Sequence, residues 1–221
     1  MNGRGVVVEF DFAAMNGAEL LFRTATRFLG ELDGIGLDDV LEARYLAGRT
    51  YQDGLARLFA AVKTKKTAQK AARDLAAAFR AAVTDAVPGA VSVQFRNFVK
   101  ALTDAGLAVA IATRADVERV RPAFGSVLGG RVILYGEESD GYGFPTWEGW
   151  RRACMALEMR HAQVRAVAGS GFGVKSALVA GMRSVAVVND RVAYQDFGGA
   201  ADVVGELSGK TAKKFLATLG I

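Results

Sequence analysis

Short apolar runs without a polar break recur along the chain, and stretches of helical spacing separate them. The runs are Val6–Val8, Leu107–Ala112, Arg131–Tyr135 after a Gly-Gly pair, Val164–Ala168 and Ser184–Val188. A strand with one wet face alternates apolar and polar residues, whereas a continuous run means that both faces are covered, as in a parallel sheet. Ala115–Phe124, Thr146–Leu157 and Gly173–Gly181 read as helices; in the second, Trp147, Trp150, Cys154 and Leu157 stand three and four residues apart. Strand and helix alternate from about residue 90 onward, which predicts an α/β fold, a three-layer Rossmann-like core with a parallel sheet.

The stretch from Asn16 to Val87 is different. It reads as amphipathic helices without strands: Glu19–Gly30, Leu37–Leu46, Tyr51–Val62 and Thr67–Val83, with a basic turn, Lys63-Thr-Lys-Lys-Thr, between the last two. One crossover between neighbouring parallel strands rarely needs so much chain. The expectation is an all-helical cap over 16–87, inserted after the first strand, with the core formed by 1–15 and 88–221. Pro88-Gly89 marks the return, and Val91–Ala105 is the crossover helix into the second strand.

Composition narrows the function classes. The 221 residues are 51% hydrophobic and 23% charged, ordinary for a folded domain, with a formal charge of +5. A moderate positive charge alone does not make a nucleic-acid binder, and no nucleic-acid partner is expected. No apolar stretch approaches the roughly 20 residues of a membrane helix and no targeting segment is visible, so no membrane partner and a cytoplasmic location are expected. A single cysteine, Cys154, excludes an internal disulfide, and a single histidine, His161, excludes a histidine-rich metal site.

Ligands of open parallel sheets sit at the carboxyl ends of the strands, near the point where strand order reverses. The residues to weigh are therefore Glu9–Asp11, Thr113-Arg114, Gly143-Phe144-Pro145 and Gly169-Ser170-Gly171. At these positions, and over nearly its whole length, the chain resembles the haloacid dehalogenase superfamily, notably members with a helical cap of the β-phosphoglucomutase or phosphoglycolate phosphatase type. The first family motif, FDxDGTLxDS, falls without gaps on Val8–Gly17. The second, a threonine or serine closing an apolar strand, falls on Thr113; the third, a lysine before proline, on Phe144; the fourth, EDS followed by GVxAAxAAGM, on Ala168-Gly169-Ser170 and GVKSALVAGM. The last segment, 173–182, is the most specific match.

The resemblance implies phosphoryl transfer by two aspartates, with threonine and lysine holding the phosphoryl group and the fourth-motif acids holding Mg²⁺. This sequence departs from that pattern. The nucleophile position is Glu9, one methylene longer, and a misplacement of about 1 Å can cost on the order of 100-fold in rate. Asp11 stands at the acid/base position. Gly-Thr becomes Phe12-Ala13, the lysine becomes Phe144, and the metal acids become Ala168 and Gly169, which have no side-chain oxygen. Mg²⁺ prefers carboxylate and water oxygens, and phosphoryl transfer depends on such positive charge. No cofactor is therefore expected, and Glu9 and Asp11 read as vestigial catalytic residues.

Thr113, Arg114 and Ser170 are the candidate ligand contacts, toward a small anionic ligand; a protein partner is the other expectation. Arg114 is a partial substitute for the lost lysine or an exposed structural arginine. GSGFGVKS, 169–176, opens a helix after a strand but fits neither a dinucleotide-binding turn nor a P-loop by spacing; it offers backbone N–H groups to an anion. Glu137, Glu138 and Asp140 are the local carboxylates available to rescue a metal site. Trp147 and Trp150, with Phe12, Tyr142 and Phe144, read as core packing or as filling of the former phosphate pocket. His161 is expected in solvent and Cys154 in the core. Two functions follow: a haloacid dehalogenase-like protein without phosphotransfer that serves in binding or regulation, or an active phosphatase on a small phosphorylated metabolite.

Overall fold

The computed structural model describes residues 4–47, 49–136 and 145–218. Its elements in chain order are β1 (Gly5–Glu9), α1 (Phe10–Ala13), α2 (Gly17–Asp33), α3 (Asp39–Leu41), a π-helical turn (Glu42–Leu46), α4 (Tyr51–Val62), α5 (Ala68–Ala90), α6 (Val93–Asp104), β2 (Ala108–Thr113), α7 (Val117–Phe124) and β3 (Val132–Gly136). They continue with α8 (Trp147–Ala156), β4 (Val164–Ala168), α9 (Gly171–Val179), β5 (Arg183–Val187), β6 (Asp202–Val204) and α10 (Gly209–Thr218). The strands form one parallel six-stranded sheet in the order β3-β2-β1-β4-β5-β6. The order reverses at β1, so the crevice between β1 and β4 is the switch point where this architecture places ligands.

Continuous burial explains the apolar runs. Val6 and Val8 of β1 face a layer built by α6, α7, α10 and the second half of α5, while Val7 faces α8 and α9. The helices start where the sequence supplies an oxygen to cap them. The side chains of Ser92, Asp116, Thr146 and Ser170 accept from first-turn N–H groups of α6, α7, α8 and α9. Trp150 and Cys154 are buried as expected, Trp147 is half exposed, and His161 is exposed. Among the described residues no helix is long and apolar enough to cross a membrane.

The helices between β1 and α6 carry a separate apolar cluster, including Leu29, Leu55, Leu58 and Leu75. Their junction with the sheet differs from expectation. Pro88 does not stop α5, which runs on to Ala90, so the expected division between 87 and 88 falls inside a helix. The physical reason is packing. Ala71, Ala72 and Leu75 lie in the insert's cluster, but Phe79, Val83 and Val87, at intervals of four, lie in the cluster under the sheet. Burying three such side chains is worth about 1.5–3 kcal/mol each, enough to offset a proline cost of about 3 kcal/mol. The short edge strand β6 and the final helix α10 were outside the expected elements; β6 has three residues and its Val203 is exposed, so it carries no buried-strand signal.

Phe10, the first residue after β1, anchors the chain where the strand ends. It is fully buried, with the rings of Phe95 and Phe124 edge-on at 4.9 and 5.0 Å. Phe10→Ala is expected to destabilise the fold by about 3–5 kcal/mol through the cavity it leaves. Chemical denaturation checks this through a lowered midpoint.

Candidate functional site

β1 delivers Glu9 to the crevice and β2 delivers its partners. Glu9 pairs in register with Ala112, so Thr113 and Arg114 stand just beyond β1's end, level with Asp11. The chain after β1 does not stay an open loop. Phe10–Ala13 wind into one helical turn, every residue of which is buried. This turn is seated on two glycines. A Cβ at Gly17 would lie 2.1 Å from the Asp11 carbonyl oxygen, and one at Gly169 would lie 2.2 Å from the Phe12 carbonyl carbon. Both obstructions are backbone, so neither glycine can gain a side chain without moving α1.

The five candidate residues come together. Thr113 Oγ1 donates to Asp11 Oδ1 at 2.6 Å, and the Arg114 N–H donates to Asp11 Oδ2 at 2.7 Å. The Arg114 guanidinium is a fork between the two acids, one arm donating to Asp11 Oδ2 at 3.1 Å and the other to Glu9 Oε1 at 3.2 Å. Across the crevice, Glu9 Oε2 accepts from the Gly169 N–H at 2.9 Å, with Ser170 Oγ at 3.5 Å. The extra methylene of glutamate acquires a purpose here: it carries the carboxylate from β1 to the loop after β4. Gly173 makes room, since a Cβ there would meet Glu9 Oε2 at 2.6 Å.

Glu9 and Asp11 are fully buried, and Arg114 nearly so at 7% exposure. The exposed arginine of the sequence reading is thus corrected: two carboxylates draw the guanidinium inward, and Phe12 and Phe79 cover it. Its centre lies 4.8 Å from the Phe12 ring and 5.9 Å from the Phe79 ring, distances at which a cation is attracted to an aromatic face. Burial pushes the Glu9 carboxyl from its usual 4.5 up to about 7, against the opposing pull of Arg114 and the Gly169 N–H. One guanidinium faces two acids, so a proton taken up by Glu9 near neutrality balances the cluster.

The N–H groups of the three glycines in 169–173 are likewise committed. Gly169 serves Glu9, Gly171 N–H donates to Gln195 Oε1 at 2.8 Å, and Gly173 N–H donates to Ser170 Oγ at 3.0 Å. The loop into the helix holds the protein's own Glu9 carboxyl, through the Gly169 N–H and the Ser170 hydroxyl. Ala168 is fully buried in the apolar layer under α8 and α9. Glu137, Glu138, Asp140, Tyr142, Gly143 and Phe144 lie outside the described residues. The sequence reading missed Phe79, which no local signal links to Arg114, and the fitting roles of Gly17 and Gly173.

Solved structures share this architecture. CbbY from Rhodobacter sphaeroides in complex with phosphate is similar over 92% of this chain and 94% of its own, with a TM-score of 0.65 at 16% identity. A beta-phosphoglucomutase from Clostridium difficile is similar over 98% and 96%, with a TM-score of 0.72 at 11% identity. A HAD hydrolase of family IA from Entamoeba histolytica is similar over 91% and 92%, with a TM-score of 0.66 at 16% identity. At such identities the likeness is one of fold. No family model matches the chain, and no curated protein matches it in sequence.

The raised Glu9 pKa has a pH signature. Between pH 4.5 and about 7 the folded state holds a proton that the unfolded state has lost. Glu9 therefore stabilises the fold fully below pH 4.5, and that contribution falls as pH rises through about 7. Urea unfolding across this range should show the decline, and Glu9→Gln should flatten it. An unchanged slope in the variant would remove Glu9 as the cause.

Proposed function

We propose that this chain, which has the fold of the haloacid dehalogenase hydrolases, has exchanged phosphoryl transfer for a structural ion cluster and serves by binding rather than catalysis. The observation that carries this reading is the Arg114 fork closed on Glu9 and Asp11, with both acids sealed from solvent. A nucleophile must reach its substrate and an acid/base must exchange protons with it. Here each Asp11 oxygen already accepts a hydrogen bond from Thr113 or Arg114.

The residues present do not suit the Mg²⁺ that the family resemblance implies. A hard divalent ion takes oxygen ligands, with one or two carboxylates the usual protein share. Arg114 instead brings a fixed positive charge to both acids. The direction in which a residue 169 side chain would point is filled by the backbone of Phe12 and Ala13. A free anion at Thr113, Arg114 and Ser170 would also have to displace Glu9 and Asp11, which already hold those donors. The CbbY structure is a complex with phosphate; in this chain the Glu9 carboxyl occupies the Gly169 N–H and the Ser170 hydroxyl.

The competing reading, an active phosphatase, requires Arg114 to leave both acids. Hydrolysis of p-nitrophenyl phosphate with and without Mg²⁺ separates the two. The expected result is no metal-dependent rate above background, and no change on Asp11→Asn. A metal-dependent rate abolished by that substitution would establish an enzyme.

A further inference from the structure

The segment between α2 and α4 contains an uncommon piece of backbone. In the π-helical turn, the Ala47 N–H donates to the Glu42 carbonyl at 2.9 Å, five residues back instead of four. Such turns are rare and are frequent at functional sites. The local sequence does not call for one: Glu42, Ala43, Arg44 and Leu46 are all good α-helix formers. The bias toward π geometry must come from tertiary contacts.

Two such contacts converge on it. Arg191, in the turn after β5, donates through one arm to Asp39 Oδ1 at 2.7 Å and through the other to Glu42 Oε2 at 2.8 Å. Its Nε lies 3.5 Å from Glu19 Oε2 on α2, and its guanidinium centre lies 4.0 Å from the centre of the Phe22 ring. Asp39 opens α3 and Glu42 opens the π turn, so one side chain from the sheet edge grips both places where the register is set. The second contact is a notch in α4. A Cβ on Gly54 would lie 2.6 Å from the Tyr45 carbonyl oxygen and 3.3 Å from Leu46 Cα. Bare backbone at Gly54 is what lets the turn sit so close.

Arg191 also stands between two open clefts. One, of about 730 Å³, extends from Asn16 past Ser92 and Gln94 to Glu206. The other, of about 690 Å³, lies between Asp39–Arg44 and Asp190–Tyr194. Asp190 and Arg191 line both.

We propose that residues 38–47 form a two-state element, held in π register by Arg191 and the Gly54 notch, which rewinds to α register and joins the two clefts when Arg191 lets go. In the α register the Ala47 N–H bonds the Ala43 carbonyl, four residues back, which takes the extra residue out of the turn. The clamp is built to be released. It is made of charges; the Asp39 side chain is 76% exposed, so salt screens that arm, while the buried Glu42 arm is screened much less and yields to a competing oxyanion. An oxyanion in either cleft meets the same guanidinium and competes with the same carboxylates. This device goes beyond the reading of the Glu9–Arg114–Asp11 cluster and does not depend on whether that cluster is catalytic.

The test is to identify the carbonyl that accepts from Ala47 N–H by scalar coupling across the hydrogen bond in NMR. The wild type at low salt is expected to couple to Glu42. In Arg191→Met the ratio of Ala43-bonded to Glu42-bonded forms should rise about tenfold, as for loss of a charged hydrogen bond. Wild type in about 1 M NaCl should move the same way by a smaller factor, through the exposed Asp39 arm, and this arm decides the matter if the variant does not fold. Coupling to Glu42 alone under all conditions would overturn the proposal. So would loss of all coupling at Ala47, which would mean fraying instead of a register change.

Discussion

One guanidinium governs the carboxyl edge of this sheet. Arg114 is placed by the register of β2 against β1 and reaches both acids that β1 presents. Two carboxylates in the interior without a cation would be untenable; stripping the partner from a buried charge costs about 3–5 kcal/mol. With Arg114 in place they become a cross-link among β1, β2 and the loop after β4. Phe79 extends the link to α5, so the helical insert and the sheet share one buried cation.

The residues at positions 9, 12, 17, 169 and 173 are physically coupled. A longer acid at position 9 can span the crevice only if position 173 has no Cβ and position 169 offers an N–H. Phe12 can lie over Arg114 only if α1 is wound tightly, and tight winding needs bare backbone at Gly17 and Gly169. Position 169, where the resemblance implies a metal acid, therefore doubles as a seat for α1. A bare position 169 and the winding of α1 go together.

The central strands were legible because burial on both faces leaves an unbroken apolar run. Each was placed within one or two residues. β6 was not legible, since a three-residue edge strand with Val203 in solvent has no such run. Pro88 misled for a related reason: a local breaker was weighed without the packing of Phe79, Val83 and Val87, which only the fold brings under the sheet. Arg114 misled because a charge in a sequence carries no record of its partner, and Asp11 lies over a hundred positions away.

The sequence by itself determined the α/β architecture, the helical insert after β1 and the set of residues that meet at the switch point. These follow from hydrophobic periodicity and from the positions just after each strand, both local properties of the chain. Only the tertiary structure decided that Glu9 crosses to Gly169, that Arg114 is buried between two acids, and that Arg191 grips a π turn. Those facts depend on distances between segments far apart in sequence. Whether a carboxylate is a reagent or a fastening is set by what stands within about 3 Å of its oxygens, and that is a property of the folded neighbourhood alone.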